Sequence, residues 1–258
     1  MKITLITGAA NGLGKEFAKL YAKDDNNLLL VDIDQVALES TVNEIKQNYN
    51  KIMIDYVVAD LSVVEELKKV YNHTIEKNYF VNNLVNAAGF GDRKDFKNMD
   101  IDLQIRMTNV DCNALLYFTK VFSDQMLKNN EGHIINVASI AAFMPAPYMC
   151  TYHACKSFVL LLGEAIAYEF RKTNVKVLTL CPGPFLSKFV EVAHNDYTFK
   201  KIKPITAGKV AAFGYQKSLK GKRLAVVGFK NRLTIFGTRF FPRSFVTASS
   251  AKTMKKGA

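Results

Sequence analysis

The chain has 258 residues, 49% hydrophobic and 22% charged, with Gly 14, Pro 6 and a formal charge of +12. This length and apolar content support one large domain with a packed core and exclude a disulfide-stapled miniprotein, a disordered chain and a collagen-like one. The charge is uneven: residues 1–196 hold 20 Lys and Arg against 23 Asp and Glu, whereas 197–258 hold 15 basic residues and no acidic one.

Apolar runs of strand length fall at 3–7, 28–32, 53–59, 83–88, 133–139, 175–180 and 223–228. Longer amphipathic stretches lie between them, among them 14–23, 36–47, 63–77, 103–127 and 151–172. Most of the short runs are apolar at every position, which suits the interior of a parallel sheet covered by helices on both faces. Repeated βα units of this kind predict a single doubly wound α/β domain with a mainly parallel seven-stranded sheet over residues 1–228. The four cysteines, Cys112, Cys150, Cys155 and Cys181, form no CxxC and no ligand-like group with His73, His133, His153 or His194. Neither a metal site nor a disulfide framework is expected. Met1 leads straight into the first strand run, and no stretch reaches the roughly 18 apolar residues of a spanning helix, so a reduced cytoplasmic setting is expected.

The first strand runs into Thr7-Gly8-Ala9-Ala10-Asn11-Gly12-Leu13-Gly14, and an amphipathic helix follows at once. Small residues here let the backbone approach a pyrophosphate, and the N–H groups opening the helix supply partial positive charge. A dinucleotide held by Gly8, Asn11, Gly12, Leu13 and Gly14 is one reading, and a tight strand-to-helix turn is the other. Asp32, which closes the second strand eighteen residues after Gly14, favours the first. Its carboxylate suits the two hydroxyls of an adenosine ribose and repels a 2'-phosphate, so NAD is expected ahead of NADP.

Taken with the residues downstream, this glycine spacing resembles the short-chain dehydrogenase/reductase superfamily of Rossmann domains to about residue 230. The matching parts occur in order: Asp60-Leu61 after the third strand, Asn86-Ala87-Ala88-Gly89 after the fourth, Asn109 in the long helix, Ser139 ending the fifth strand, Tyr152 with Lys156, and Pro182-Gly183-Pro184 after the sixth. Tyr-x-x-x-Lys also occurs at Tyr168/Lys172 and Tyr197/Lys201, where a solvated helix face is the better reading; only Tyr152 follows a strand-ending serine, thirteen residues on.

The resemblance implies an oxidoreductase that moves a hydride between a nicotinamide and a C–OH/C=O pair. Tyr152 is its general acid/base, and Lys156 lowers the phenol's pKa and holds the nicotinamide ribose. Ser139 donates to the substrate oxygen, and Asn109 positions a water linking Lys156 to solvent. Asp60 and Leu61 are placed near the adenine; Asn86, Ala87, Ala88 and Gly89 on the ribose side; Pro182, Gly183, Phe185 and Ser187 near the nicotinamide amide. Singly, Ser139 is also a strand-end hydroxyl, Asn109 a polar helix residue and Asp60 a helix N-cap. Ala87, where a second Asn is common, and Ser187, where Thr is usual, depart from the pattern. The resemblance further implies a mobile substrate lid at 185–205 and a homodimer or homotetramer.

Phe90, Phe143, Met144 and Met149 near the expected mouth suggest a hydrophobic carbonyl or secondary alcohol substrate, although core packing explains them equally. Residues 229–258 mix basic residues with Phe236, Phe240, Phe241 and Phe245. Such an extension suits peripheral contact with an anionic membrane, a cover over the site, or a solvated tail. A non-catalytic dinucleotide-binding regulator is the alternative function. Nucleic acid is not an expected partner, because the body is slightly acidic and carries no reading motif.

Overall fold

The structure, a computed structural model, describes residues 1–186 and 205–255. Six of the strand runs appear as β1 (Lys2–Thr7), β2 (Leu28–Asp32), β3 (Ile54–Val58), β4 (Phe80–Asn86), β5 (Gly132–Val137) and β6 (Val175–Cys181). A short separate pair follows, β7 (Phe185–Leu186) with β8 (Ile205–Thr206), and β9 (Leu224–Val226) completes the main sheet. The helices are α1 (Gly12–Lys23), α2 (Gln35–Asn48), α3 (Val64–Glu76), α4 (Ile101–Thr108), α5 (Leu115–Asn129), α6 (Cys150–Glu169), α7 (Ala207–Leu219), α8 (Phe229–Thr238) and α9 (Arg243–Lys255).

The main sheet has the order β3-β2-β1-β4-β5-β6-β9, and every ladder is parallel. This is the doubly wound α/β sheet expected from the apolar runs. The reason is visible in β2, where Leu28 and Leu30 face the layer of α1, α2 and α7 while Leu29 and Val31 face the layer of α3 and α5. Both faces are covered, so no position alternates to polar. Phe118 and Phe122 of α5 are fully buried on the second face, and each contributes on the order of 2–3 kcal/mol of hydrophobic stabilisation.

The chain winds outward from β1 to β3, then crosses back to place β4 on the other side of β1. That reversal opens a crevice at the carboxyl ends of β1 and β4, the place where such sheets hold ligands. Three elements differ from the periodicity. The helix expected over 103–127 is α4 and α5 joined by a π turn, Asn109–Ala114. β5 stops at Val137, which releases Ala138 and Ser139 from the sheet. The end of the 151–172 stretch tightens to a 3-10 turn at Phe170–Lys172. Among the described residues no helix is long and apolar enough to cross a membrane.

Candidate active site

The turn after β1 is held from three sides. Gly8 sits at φ +66°, and a Cβ there would lie 2.8 Å from the Ala88 Cα; a Cβ on Gly14 would fall onto the Gly8 carbonyl. Glycine is therefore required twice, once for the left-handed backbone and once for close packing of α1 on the turn. Thr7 Oγ1 accepts hydrogen bonds from the N–H groups of Ala87 (3.1 Å) and Ala88 (3.2 Å), tying β1 to the loop after β4. Thr41 donates to the Ala10 carbonyl at 2.9 Å. Helix α1 opens at Gly12 with no side-chain cap from Asn11 and no acidic residue in its first turn, so neither its cap residue nor its own first turn offers an anion to the leading N–H groups and positive dipole end.

Asp32 stands beside this turn. Its Oδ2 accepts the Ala10 N–H at 2.9 Å and its Oδ1 the Asp34 N–H at 3.1 Å. Burial raises its pKa, and the backbone N–H groups oppose that rise.

On the side of β3 and β4, Asp60 accepts from the Ser62 N–H (3.0 Å) and hydroxyl (2.7 Å) and pairs with Arg106 at 3.0 Å. Burial pushes its carboxyl up, and Ser62 and Arg106 bring it below the usual carboxylate range. Asp60 is not a helix N-cap, since α3 begins at Val64 with Val63 as its cap residue. Leu61 is buried. The Asn86 side chain turns into the sheet, donating to Thr119 Oγ1 (3.0 Å) and Asn136 Oδ1 (2.8 Å) in a buried polar trio. The residues that border the crevice here are Ala87 and Ala88, half-buried, and Gly89, exposed.

The chemical end is built from β5 and α6. Leaving β5, Ser139 caps the short 3-10 turn Ile140–Phe143 by accepting the Ala141 N–H at 3.1 Å. That turn is bound to α6, where Ser157 donates to the Ala142 carbonyl (2.8 Å) and the His153 ring nitrogen Nδ1 lies 2.8 Å from the Met144 carbonyl. Docking the turn in this way sets the Ser139 hydroxyl close enough to Tyr152 to favour its phenolate. One helical turn on, the Lys156 ammonium lies 5.5 Å from the centre of the Tyr152 ring and 3.4 Å from the Val137 carbonyl. Burial raises the phenol's pKa; Lys156 opposes it, Asp111 adds to it, and the net direction is upward. Lys156 is held above the usual lysine range: burial works against its charge, and Asp111 and Tyr152 outweigh it.

Ser139, Tyr152 and Lys156 therefore meet. Asn109 does not join them: its amide donates to the Ser62 carbonyl at 3.2 Å and its oxygen accepts from Asn113 at 2.9 Å. The residue facing Lys156 is Asp111, with Oδ2 2.9 Å from the ammonium and Oδ1 accepting the Phe90 N–H at 3.1 Å. The sequence reading missed it, although Asp111 lies on the stripe of Leu115, Phe118, Phe122 and Met126, and a carboxylate on an apolar stripe is the signal.

Pro182 accepts the Ile140 N–H at 2.9 Å, holding the end of β6 against the same turn. Gly183 lies against Asn231 of α8, and Phe185 packs on the core beside β6. Ser187 and most of the 185–205 segment lie outside the described residues, as does the Tyr197/Lys201 pair. Tyr168 is exposed, with Arg171 stacked 3.8 Å over its ring, a solvated helix face as expected. The extension folds back on its own domain: Ser250 donates to the Pro145 carbonyl at 2.8 Å, and Arg93 bonds the Met254 carbonyl.

Fold and site together define a doubly wound Rossmann-type α/β protein with a phenol, an amine and a hydroxyl gathered at its sheet's carboxyl edge. Residues 2–198 match the family model for short chain dehydrogenases, and the chain belongs to that family of oxidoreductases. An uncharacterised oxidoreductase of Staphylococcus saprophyticus is 28% identical over 182 residues, covering 70% of this chain and 77% of that protein. A short-chain dehydrogenase of Sphingobium yanoikuyae, solved with NADPH, has a TM-score of 0.83 at 21% identity, over 93% of this chain and 94% of that one. A family protein of Burkholderia phymatum, solved with NAD, has a TM-score of 0.80 at 22% identity, over 91% and 92%.

Proposed function

We propose that the protein transfers a hydride between NAD(H) and a hydrophobic carbonyl or secondary alcohol, with Tyr152 as general acid/base. One observation carries this reading: Ser139, Tyr152 and Lys156, from separate stretches of chain, converge beside the crevice whose floor is the glycine turn. A pure dinucleotide sensor has no need of that convergence.

The residues present fit a dinucleotide, because the uncapped start of α1 offers N–H donors to a pyrophosphate and its first turn carries no acidic residue. Gly8, Asn11, Gly12, Leu13 and Gly14 would hold it, with Asp32 on the adenosine ribose and Asp60 and Leu61 near the adenine. Ala87, Ala88 and Gly89 would line the ribose side, and Asn86 would act from beneath them. Lys156 would bind the nicotinamide ribose, and Pro182, Gly183, Phe185 and Ser187 the amide. When bound, the nicotinamide supplies or accepts the hydride. The two solved relatives hold NADPH and NAD respectively, and it is the Asp32 charge that favours NAD here.

For reduction, the phenol is already in the form that is needed. Its raised pKa keeps it protonated at neutral pH, ready to give its proton to a carbonyl oxygen while the Ser139 hydroxyl orients that oxygen. Phe90, Phe143 and Met144, all half-buried, support an apolar substrate. The exposed Leu116 of α5 and the exposed Phe158 and Leu161 of α6 support a homodimer or homotetramer joined through those helices. Exposed Phe236, Phe240, Phe241 and Phe245 among basic residues support peripheral membrane contact by the extension.

The test follows NADH absorbance with a panel of ketones, aldehydes and alcohols, comparing the protein with Tyr152→Phe. Loss of the proton donor is expected to lower kcat by about 10²- to 10⁴-fold; equal rates would remove Tyr152 from the chemistry.

A further inference from the structure

Helix α8 carries most of its apolar side chains on its outer face. Phe229, Leu233 and Phe236, with Phe240 in the turn that closes the helix, are 55–78% exposed. Their spacing of four, three and four residues sets them in one stripe along the helix. Asn231 and Ile235 occupy the other side: Ile235 is buried, and Asn231 lies against Gly183 while donating to the Val227 carbonyl at 2.7 Å. The stripe therefore points away from the protein. Phe236 and Phe240 meet edge-on at 5.0 Å, and beyond the turn the exposed Phe241 and Phe245 stack at 5.0 Å. Lys230, Arg232, Arg239 and Arg243 are exposed among them, and no acidic residue occurs from 197 to 258.

Charge selects the occupant of this surface. A second copy of the chain would set like charges against each other. An anionic bilayer answers both features, taking the rings into its acyl boundary and strengthening binding by about fivefold for each cation held near its surface.

The same extension is fastened to the rim of the crevice at three places. Asn231 of α8 abuts Gly183 at the end of β6, Ser250 of α9 donates to the Pro145 carbonyl at 2.8 Å, and Arg93 of the loop after β4 donates to the Met254 carbonyl. One helix diameter, about 10 Å, thus separates the stripe from the rim. An interfacial helix sinks its apolar face by about 5–10 Å, which brings the rim, with half-buried Phe143 and Met144 on it, to the level of the lipid headgroups.

We propose that the α8 stripe docks the protein on an anionic bilayer with the mouth of the crevice at the bilayer surface, so that the substrate is a carbonyl or alcohol dissolved in the bilayer. This placement deepens the membrane reading and rests, for the substrate, on the oxidoreductase reading.

The test compares the wild type with Phe236→Ser/Phe240→Ser, both changes being on exposed residues outside the site. Vesicles of phosphatidylserine and phosphatidylcholine carry a long-chain alkyl ketone, and a short-chain, water-soluble ketone is the reference substrate. The double variant should bind the vesicles about 10- to 100-fold more weakly. Its kcat/KM for the dissolved long-chain ketone should fall by a similar factor, while that for the soluble ketone stays unchanged. Equal turnover of the long-chain ketone by the two proteins would overturn the proposal. So would a wild type that ignores the vesicles, or one whose self-association, rather than vesicle binding, is lost in the variant, since the stripe would then be a subunit contact.

A second readout needs no turnover. The chain has no tryptophan, so Phe240→Trp, Phe143→Trp and Tyr56→Trp each introduce a single indole. Tyr56 lies on β3, at the opposite edge of the main sheet from β9 and roughly 30 Å away from it. In vesicles containing brominated phosphatidylcholine, quenching should be strongest at 240, smaller at 143 and absent at 56. A position 143 quenched no more than 56 would overturn the placement of the mouth. If the wild type turns over no ketone at all, the oxidoreductase reading fails, and the order of quenching still decides how the mouth lies. Should Phe143→Trp not fold, Met144→Trp carries the same expectation.

Discussion

Replacing Asp32 by Asn separates cofactor choice from every other property of the site. The carboxylate accepts backbone N–H bonds from Ala10 and Asp34, one on each oxygen. Asn retains one acceptor and turns an amide NH₂ towards the other donor, so one charge-assisted bond is lost at a cost of about 1.5–3 kcal/mol. For a chain of this size that lowers Tm by roughly 3–10 °C. The charge matters separately for the cofactor. Two unit charges 4 Å apart at an effective dielectric of about 20 interact by roughly 4 kcal/mol, which solvent and salt at a half-exposed strand end reduce to about 1–2 kcal/mol. NADPH should gain by that amount. NADH should lose a similar 1–2 kcal/mol from weakened ribose hydrogen bonds. The ratio of kcat/KM for NADH over NADPH should therefore fall by about 30- to 1,000-fold, read from initial rates with each cofactor at one fixed carbonyl concentration. A change smaller than about threefold, or a wild type that already prefers NADPH, would refute the assignment of Asp32.

Three further outcomes are expected. Gly14→Ala forces a methyl group against the Gly8 carbonyl; it should destabilise by about 3 kcal/mol and depress NADH affinity, and unchanged melting and binding would count against the packed turn. Asp55 is held below the usual carboxylate range: burial pushes it up, but hydrogen bonds from His73 at 2.7 Å and Tyr79 at 3.0 Å outweigh that. Its contribution is present above the unfolded pKa near 4 and is lost as pH falls through the lower folded value, so the Tm difference between wild type and Asp55→Asn should shrink as pH is lowered below about 4; a difference independent of pH would contradict this. The intact protein should sediment with anionic phosphatidylserine vesicles and lose that property when residues 229–258 are deleted, and an intact protein that stays in the supernatant ends the membrane reading.

The sheet was legible because its strands are buried on both faces and so read as unbroken apolar runs. Gly8, Gly14, Ser139, Tyr152 and Lys156 were legible because each sits at a fixed place relative to a strand end. Other residues were hidden for definable reasons. The π turn carries neither Gly nor Pro, so nothing in Asn109–Ala114 marks the interruption, and one residue of slippage in helical phase decides which side chain faces Lys156. Asn109 was the natural choice by residue type, yet the turn directs it to Ser62. Asn86 presents the opposite difficulty: a polar residue closing a strand reads as ligand-facing, while its amide serves the buried bonds to Thr119 and Asn136. Helix α7 was not among the expected elements, being rich in Ala and Gly and shaped by contact, with Gly214 fitted against Leu180 and Phe17.

The bond between Arg93 and the Met254 carbonyl joins positions 161 apart in the chain. During synthesis the crevice and its glycine turn emerge long before the segment that walls off the outer rim, and the first part can fold while the last is still being made. Nascent or prematurely terminated chains thus present Gly183 and the turn at Ile140–Phe143 bare, with Arg93 lacking its carbonyl.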